Sequence, residues 1–577
     1  MTMLTKWGAA LDRSCPLPEY PRPQLRRESF YNLNGAWDYA VTPSGDEPVV
    51  WDGKIVVPFS PEAPLSGAAR GPAKDEYLHY RRGFTLPEGF QKSRVLLHFG
   101  AVDQIAEVFV NGVSAAKHSG GYWPFSADIT SLLREGENIL RVTVRDNADD
   151  PTFAYGKQRY KRGGMWYTAQ SGIWQTVWLE SVPEVYVKSL RITPEFDEAR
   201  VRIELETALE SSAAITCDVR AADGSFVAGS WAKGGVCVVP LPGFHAWTPD
   251  DPYLYTLDIT CGEDRVESYF AMRKFSYVEL GGHKVFGLNN APLFHNGLLD
   301  QGYYPDGLLT PPSDEAMVSD IETMKRCGFN MLRKHIKIEP LRWYYHCDRL
   351  GMIVWQDMVS GGQPYSFLHV SALPTLGKVD LPDQDAKPYG RSGVLSRARF
   401  RREMADTVRL LYNCPCIALW TVFNEGWGQF DALDMANELK KLDPTRFIDH
   451  ASGWQDQGYE EMKSRHIYFR PVKLKNDGRA LALTEYGGYI LAVDGHRWTD
   501  KVFGYRICRD SAALAHDYEK LMLGQVLPHI RKEGLTAAVY TQITDVEEEL
   551  NGLMTYDREV LKIPEETLRE INKQLKF

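Results

Sequence analysis

Residues 416–427 read Cys416-Ile417-Ala418-Leu419-Trp420-Thr421-Val422-Phe423-Asn424-Glu425-Gly426-Trp427. A fully apolar run closed by Asn-Glu-Gly reads as a buried strand that delivers a carboxylate at its C-terminal end. Phe400, Met404, Val408 and Leu411 precede it at helical spacing, and Ala432, Met435, Leu439 and Leu442 follow it before the short run Phe447-Ile448. The alternation extends both ways. Ser313 can cap a helix with the apolar face Met317, Ile321 and Met324; Gly328 stops it, and Asn330-Met331-Leu332 starts a strand. A second helix after Pro340 ends at Gly351, ahead of Met352-Ile353-Val354-Trp355. Leu481–Thr484 and Thr536–Tyr540 add later strands. About eight such segments in roughly 300 residues is the size and rhythm of a (β/α)8 TIM barrel. A doubly wound sheet is disfavoured, because no G-x-G-x-x-G follows a strand. The stretch 358–396 has little periodicity and reads as a long loop that shapes a site.

The first ~180 residues are different. Val95–Phe99, Ala106–Val110 and Ile139–Val144 alternate with a period of two, and Asn111-Gly112 is a hairpin signal. This predicts a β jelly roll over 1–182. Short strands such as Val201–Leu205 continue, predicting an immunoglobulin-like β-sandwich over 183–277. The barrel then occupies 278–577.

Composition excludes several functions. With 44% hydrophobic and 25% charged residues the chain is neither disordered nor collagen-like. A net charge of −10 without a basic block argues against nucleic acid and anionic membrane surfaces as partners. No apolar run approaches a membrane span and no leader-like segment opens the chain. Nine cysteines without a C-x-x-C pair suit buried thiols in a reducing, cytoplasmic setting.

In a barrel, chemistry sits where strands end. Glu425 ends one apolar run, and Glu485 ends another in Leu483-Thr484-Glu485-Tyr486-Gly487-Gly488. Two carboxylates facing one cavity, one protonated and one ionised, are the equipment for glycoside hydrolysis. Asn-Glu alone is no signal, since Asn437-Glu438 lies within a periodic helix. The context of Glu425 and Glu485, each after a strand and beside glycines and aromatics, is what singles them out. Ser464–Tyr468 reads as a short sixth strand with His466 and Tyr468 on one side.

Taken together, these motifs resemble glycoside hydrolase family 2, the β-galactosidases, β-glucuronidases and β-mannosidases. The resemblance covers essentially the whole chain and rests on Trp247-Thr248-Pro249 with Pro252-Tyr253-Leu254-Tyr255, on Asn330–His335, on Asn424-Glu425 and on Thr484–Gly488. It implies a retaining exo-β-glycosidase with Glu485 as nucleophile and Glu425 as acid/base. It further implies Asn424 on the sugar 2-hydroxyl, Arg333 beside Glu485 and Tyr468 as an aromatic hydroxyl near the nucleophile; His335 and His466 are further candidate sugar contacts, with a satisfied core histidine the alternative for His335. Trp166 would reach the barrel mouth from the first domain.

The chain also departs from the family's patterns. Tyr540 stands where many relatives place a sugar-stacking Trp, and is the expected platform. Gln356-Asp357 replaces the Glu-x-His pair that binds magnesium in large β-galactosidases, so no metal and no cofactor are expected. The Asn-x-Lys uronate motif is missing, which favours a β-galactosidase-like activity on a small or oligosaccharide glycoside. The cluster Arg333, Lys334 and Lys337 keeps a β-uronidase as the alternative, and a catalytically inactive carbohydrate-binding protein is the further one. A homo-oligomer is left open.

Overall fold

Eight parallel strands form the C-terminal barrel of the computed structural model, which describes residues 3–209, 214–377 and 380–577. They are β1 (His295–Asp300), β2 (Met331–Lys334), β3 (Ile353–Asp357), β4 (Ile417–Asn424), β5 (Phe447–Ser452), β6 (Met462–Ile467), β7 (Ala480–Gly487) and β8 (Leu535–Thr541). Each pairs with its neighbours, and β1 closes on β8. No ladder joins β5 to β6 among the described residues. Side chains bridge that seam instead: Ser464 Oγ lies 2.9 Å from Asp449 Oδ1, and Ser452 Oγ lies 3.2 Å from His466 Nε2.

The helices follow from local signals. Ser313 Oγ accepts from Ala316 N–H at 3.2 Å and caps Asp314–Arg326. Leu341–Leu350 ends at Gly351 in the left-handed region. The expected loop 358–396 holds short helical turns at Leu368–Ala372 and Leu373–Thr375, and the helix Val394–Leu411 begins inside its last residues. No helix among the described residues is long and apolar enough to cross a membrane.

The barrel floor is plugged by a hairpin, Phe275–Leu280 and His283–Leu288. Its Phe286 ring stacks on Phe447 at 4.2 Å and meets Trp355 edge-on at 5.9 Å. The expected boundary between 277 and 278 therefore falls inside a strand that packs with the barrel. Periodicity could not place it, because both sides of the boundary read as β.

Upstream, a six-stranded and a four-stranded antiparallel sheet make the jelly roll. The Asn111-Gly112 turn has φ of 52° and 83°, as a tight hairpin requires. A three-stranded and a four-stranded sheet then form the immunoglobulin-like sandwich around Cys217, Val219, Cys237, Val239, Leu257 and Ile259.

The buried Arg27 joins the two β-domains. Its Nε and Nη2 donate to both oxygens of Asp264 at 2.9 Å, Nη1 donates to Glu180 Oε2 at 3.1 Å, and Nη2 donates to the Val187 carbonyl at 2.7 Å. Burial alone would raise Glu180, but Arg22 and Arg27 hold its carboxyl well below the usual range. That contribution to stability is complete above the ordinary carboxylate pKa and is lost as pH falls through the lowered one. Arg27→Met should cost about 3–5 kcal/mol at neutral pH, because buried Asp264 loses its ion-pair partner and Glu180 keeps only Arg22 of its two arginines. Urea unfolding reads this directly, and a change below about 1 kcal/mol would show that Arg27 does not carry the joint.

Candidate active site

The C-terminal ends of the barrel strands converge on Arg333, which has no exposed surface. Its Nε donates to Asp357 Oδ1 at 2.9 Å, Nη1 to Glu485 Oε1 at 3.1 Å and to the Thr484 carbonyl at 3.1 Å, and Nη2 to Asn424 Oδ1 at 2.8 Å. One planar cation on β2 thus fixes side chains from β3, β4 and β7. Asp357 also faces His335 Nδ1 at 2.7 Å. Burial would raise Asp357, yet Arg333 and His335 hold it at about 2. Burial pushes the His335 imidazole down, so the neutral ring donates Nδ1–H to Asp357.

Glu425 lies just past the end of β4 with φ of 54°, a left-handed conformation that a side chain adopts at a cost. Two hydrogen bonds hold it there: its N–H donates to the Ser452 carbonyl at 2.9 Å, and Trp454 Nε1 donates to its carbonyl at 2.9 Å. Burial in the recess raises the Glu425 carboxyl above its ordinary value. Glu485 reaches the same space through an irregularity in β7. Pairing slips between Leu483 and Tyr486, so Tyr486 turns outward against Tyr540 at 5.8 Å while Glu485 faces the cavity. Tyr468 donates its O–H to Glu485 Oε2 at 2.6 Å.

His466 sits between the two carboxyls, 2.8 Å from Glu425 Oε1 and 3.5 Å from Glu485 Oε2 through Nδ1. Burial lowers its pKa to about 3, so the ring is neutral. Gly453 makes room for it: a Cβ there would lie 2.7 Å from the imidazole. One oxygen from each glutamate and one His466 nitrogen lie within 4.8 Å of one another. Among the described residues this is the single group of three acidic, His or Cys side chains compact enough to share an ion.

A loop from the jelly roll crosses this mouth. Tyr155 and Gly156 N–H donate to the Ser360 carbonyl at 3.1 and 2.9 Å, Thr168 N–H donates to Glu547 Oε1 at 2.8 Å, and Tyr167 O–H donates to Glu549. Trp166 packs edge-on against Trp427 at 5.1 Å, next to Glu425. The jelly roll therefore supplies one wall of the cavity.

Glu425, Glu485, Asn424, Arg333, His335, His466, Tyr468 and Trp166 all come together here, but Tyr540 does not. Alternation along β8 turns Thr541 inward, 3.0 Å from the Tyr468 hydroxyl, and Tyr540 outward against Tyr486, Tyr489 and Tyr518. Nor is the Arg333, Lys334 and Lys337 cluster free for a substrate. Lys334 Nζ binds Asp300 at 2.6 Å and Glu339 at 2.8 Å; Lys337 Nζ binds the Gly302 and Leu309 carbonyls at 2.6 and 2.8 Å. Sequence reasoning missed Thr541, which the period of β8 could have found. It also missed Lys157, Tyr505 and Glu549. Tyr505 stacks on Tyr468 at 3.8 Å from a distant loop, and no local pattern marks it.

Comparison with known proteins agrees with this architecture. The description "Glycosyl hydrolases family 2, sugar binding domain" matches residues 63–183, "Glycosyl hydrolases family 2" matches 185–273, and "Glycosyl hydrolases family 2, TIM barrel domain" matches 311–474. The chain is 25% identical to a β-galactosidase of Thermoanaerobacter pseudethanolicus over 64% of its own length and 47% of that protein's. It is 23% identical to human β-glucuronidase over 66% and 61%. It thus spans about half the length of the β-galactosidases it matches. Among solved structures, a β-glucuronidase from an uncultured Clostridium sp. superposes with a TM-score of 0.74 at 18% identity, covering 95% of this chain and 98% of that one. A β-galacturonidase from Eisenbergiella tayi bound to galacturonate gives 0.70 at 18%, covering 96% and 99%. With three consecutive domains matched in order, the chain belongs to glycoside hydrolase family 2.

Proposed function

We propose that this protein is a retaining exo-β-glycosidase acting on small β-glycosides. The observation that carries the reading is the approach of Glu425 and Glu485 within 4.8 Å, each in its own electrostatic setting. Retention needs two carboxyls close enough for one to attack the anomeric carbon while the other serves the leaving oxygen; inversion needs room for a water between them. Glu485 accepts hydrogen bonds from Arg333 and Tyr468, which suit an attacking carboxylate. Glu425, raised by burial, is suited to donate a proton to the leaving group and then to take one from water. Asn424, its carbonyl oxygen engaged by Arg333, has its amide N–H groups left to meet the sugar 2-hydroxyl. The jelly-roll loop across the mouth closes the cavity on one side, which favours removal of a terminal residue.

The first reading of the substrate is a neutral β-galactoside, because the uronate motif is missing and Arg333, Lys334 and Lys337 are committed elsewhere. A second reading, a β-uronide, is favoured by Lys157, an ammonium at the mouth with no hydrogen-bond or ion-pair partner among the described residues.

Turnover of nitrophenyl β-glycosides should release the sugar first as its β-anomer by proton NMR; initial α-product would replace retention with inversion. Glu485→Gln should remove activity on all leaving groups. Glu425→Gln should slow poor leaving groups by roughly 10²–10⁴-fold and activated aryl glycosides far less. Equal losses across leaving groups would take the acid role from Glu425.

The pH profile follows from the same carboxyl. Glu425 must be protonated to act, and its pKa lies above the ordinary value, so kcat/KM should fall as pH rises through that raised pKa. The alkaline limb should disappear in Glu425→Gln assayed with an activated substrate. If the limb persists there, another group sets it.

Asp357 and Gln356 are both engaged by protein partners, and two carboxylates suffice for the chemistry. Exhaustive chelation should leave turnover within about twofold, whereas a large loss restored by magnesium would reveal a required ion.

A further inference from the structure

Lys157 is 9% exposed, and among the described residues its ammonium makes neither a hydrogen bond nor an ion pair. Its nearest recorded partner is the Trp166 ring, whose centroid lies 5.7 Å away. The position is not an accident of a loose loop. Tyr167 N–H donates to the Lys157 carbonyl at 2.9 Å, and the next two residues, Gln158 and Arg159, pair with Tyr167 and Thr168. Gly156, with φ of 62°, lies so close to the barrel that a Cβ there would come within 2.9 Å of the Ile336 carbonyl, next to His335. A side chain at 156 is thus excluded, and Lys157 is held against the end of β2.

From there, beside Trp166, its charge reaches the catalytic groups. It pulls down the carboxyls of Glu425 and Glu549, both of which burial raises, and it disfavours the charged form of His335. The other cations around the mouth are spent. Arg333 has four acceptors, Lys334 and Lys337 are tied within the barrel, Arg162 reaches Glu547 at 3.4 Å, and Arg159 lies flat on Trp166 at 4.4 Å. With the side chain nine-tenths buried and no protein anion paired to it, the ammonium is left free to form a charge-assisted hydrogen bond to a ligand carboxylate. Glu549 does not serve as that anion: it lies beyond ion-pair distance, and its Oε2 is taken by Tyr167 and Gln542.

We infer that Lys157 is the specificity-determining residue of this site and receives the carboxylate of a terminal hexuronic acid, making the substrate a β-uronide. The inference rests on the retaining β-glycosidase reading and selects its second substrate class. The cation comes from the jelly roll, not from the barrel strand ends, so the chemistry of Glu425 and Glu485 and the selection of the sugar lie on different domains.

The test compares wild type, Lys157→Met, Lys157→Gln and Lys157→Arg on nitrophenyl β-galacturonide, β-glucuronide and β-galactoside. Wild type should prefer one of the uronides by about 100-fold or more in kcat/KM. In the Met and Gln variants the uronide-to-galactoside ratio should fall by about 100-fold, chiefly through KM, and Arg should retain most of it. Free galacturonate or glucuronate should inhibit wild type competitively and the Met variant far more weakly. Thermal melts identify a variant that fails to fold, in which case the remaining substitution and the product inhibition decide. A wild-type preference for the galactoside, or equal losses on both substrates, overturns the inference and leaves the glycosidase reading standing. Absence of turnover on every glycoside, with no product binding, overturns both.

Discussion

A single guanidinium holds the mouth of this barrel together. Arg333 is shut off from solvent, and its carboxylate, amide and carbonyl partners come from three other strands. A buried cation tolerates this only when its donors are well matched, and a planar fork meets that demand where an ammonium would not. The placement of Glu485, the orientation of Asn424 and the fixing of His335 through Asp357 all follow from it. Glu425 is positioned by other means, a left-handed backbone held by Ser452 and Trp454.

The two carboxyls are kept distinct by these surroundings. Glu485 has donors on both oxygens, whereas at Glu425 burial outweighs the pull of Lys157, His335 and Arg333, and the His466 ring is its hydrogen-bond partner. His466 can occupy the space between them because the β5–β6 seam lacks a ladder and Gly453 has no side chain. The irregularity in β7 serves the same end, turning Glu485 inward and sending Tyr486 into the helix layer.

The sequence was legible where signals are local. Apolar runs, caps and glycine stops placed the barrel strands and helices, since each depends on neighbours within a turn or two. That Glu425 and Glu485 meet at one mouth was legible because each follows an apolar run, whereas Arg333 beside Glu485 was expected only from the family resemblance. Tyr540 was misread because an aromatic near a strand end says nothing of which face it takes; the inward positions of β8 fall one residue later, on Thr541. Lys334 and Lys337 looked like solvated or substrate-facing charges, and the fold buries both against Asp300, Glu339 and backbone carbonyls. Lys157 and Tyr505 were invisible for a different reason. Their meaning arises only when loops far apart in sequence meet over the barrel.

The loop around Gly156 has an evolutionary consequence. Because a segment of the jelly roll forms a wall of the cavity, the barrel is not a self-contained unit of selection. Changes in that loop can reshape the wall without touching Arg333 or the paired glutamates. The restriction on Gly156 holds the loop's path against the barrel. The wall and the paired carboxyls can thus change separately, one in the jelly roll and the other at the strand ends of the barrel.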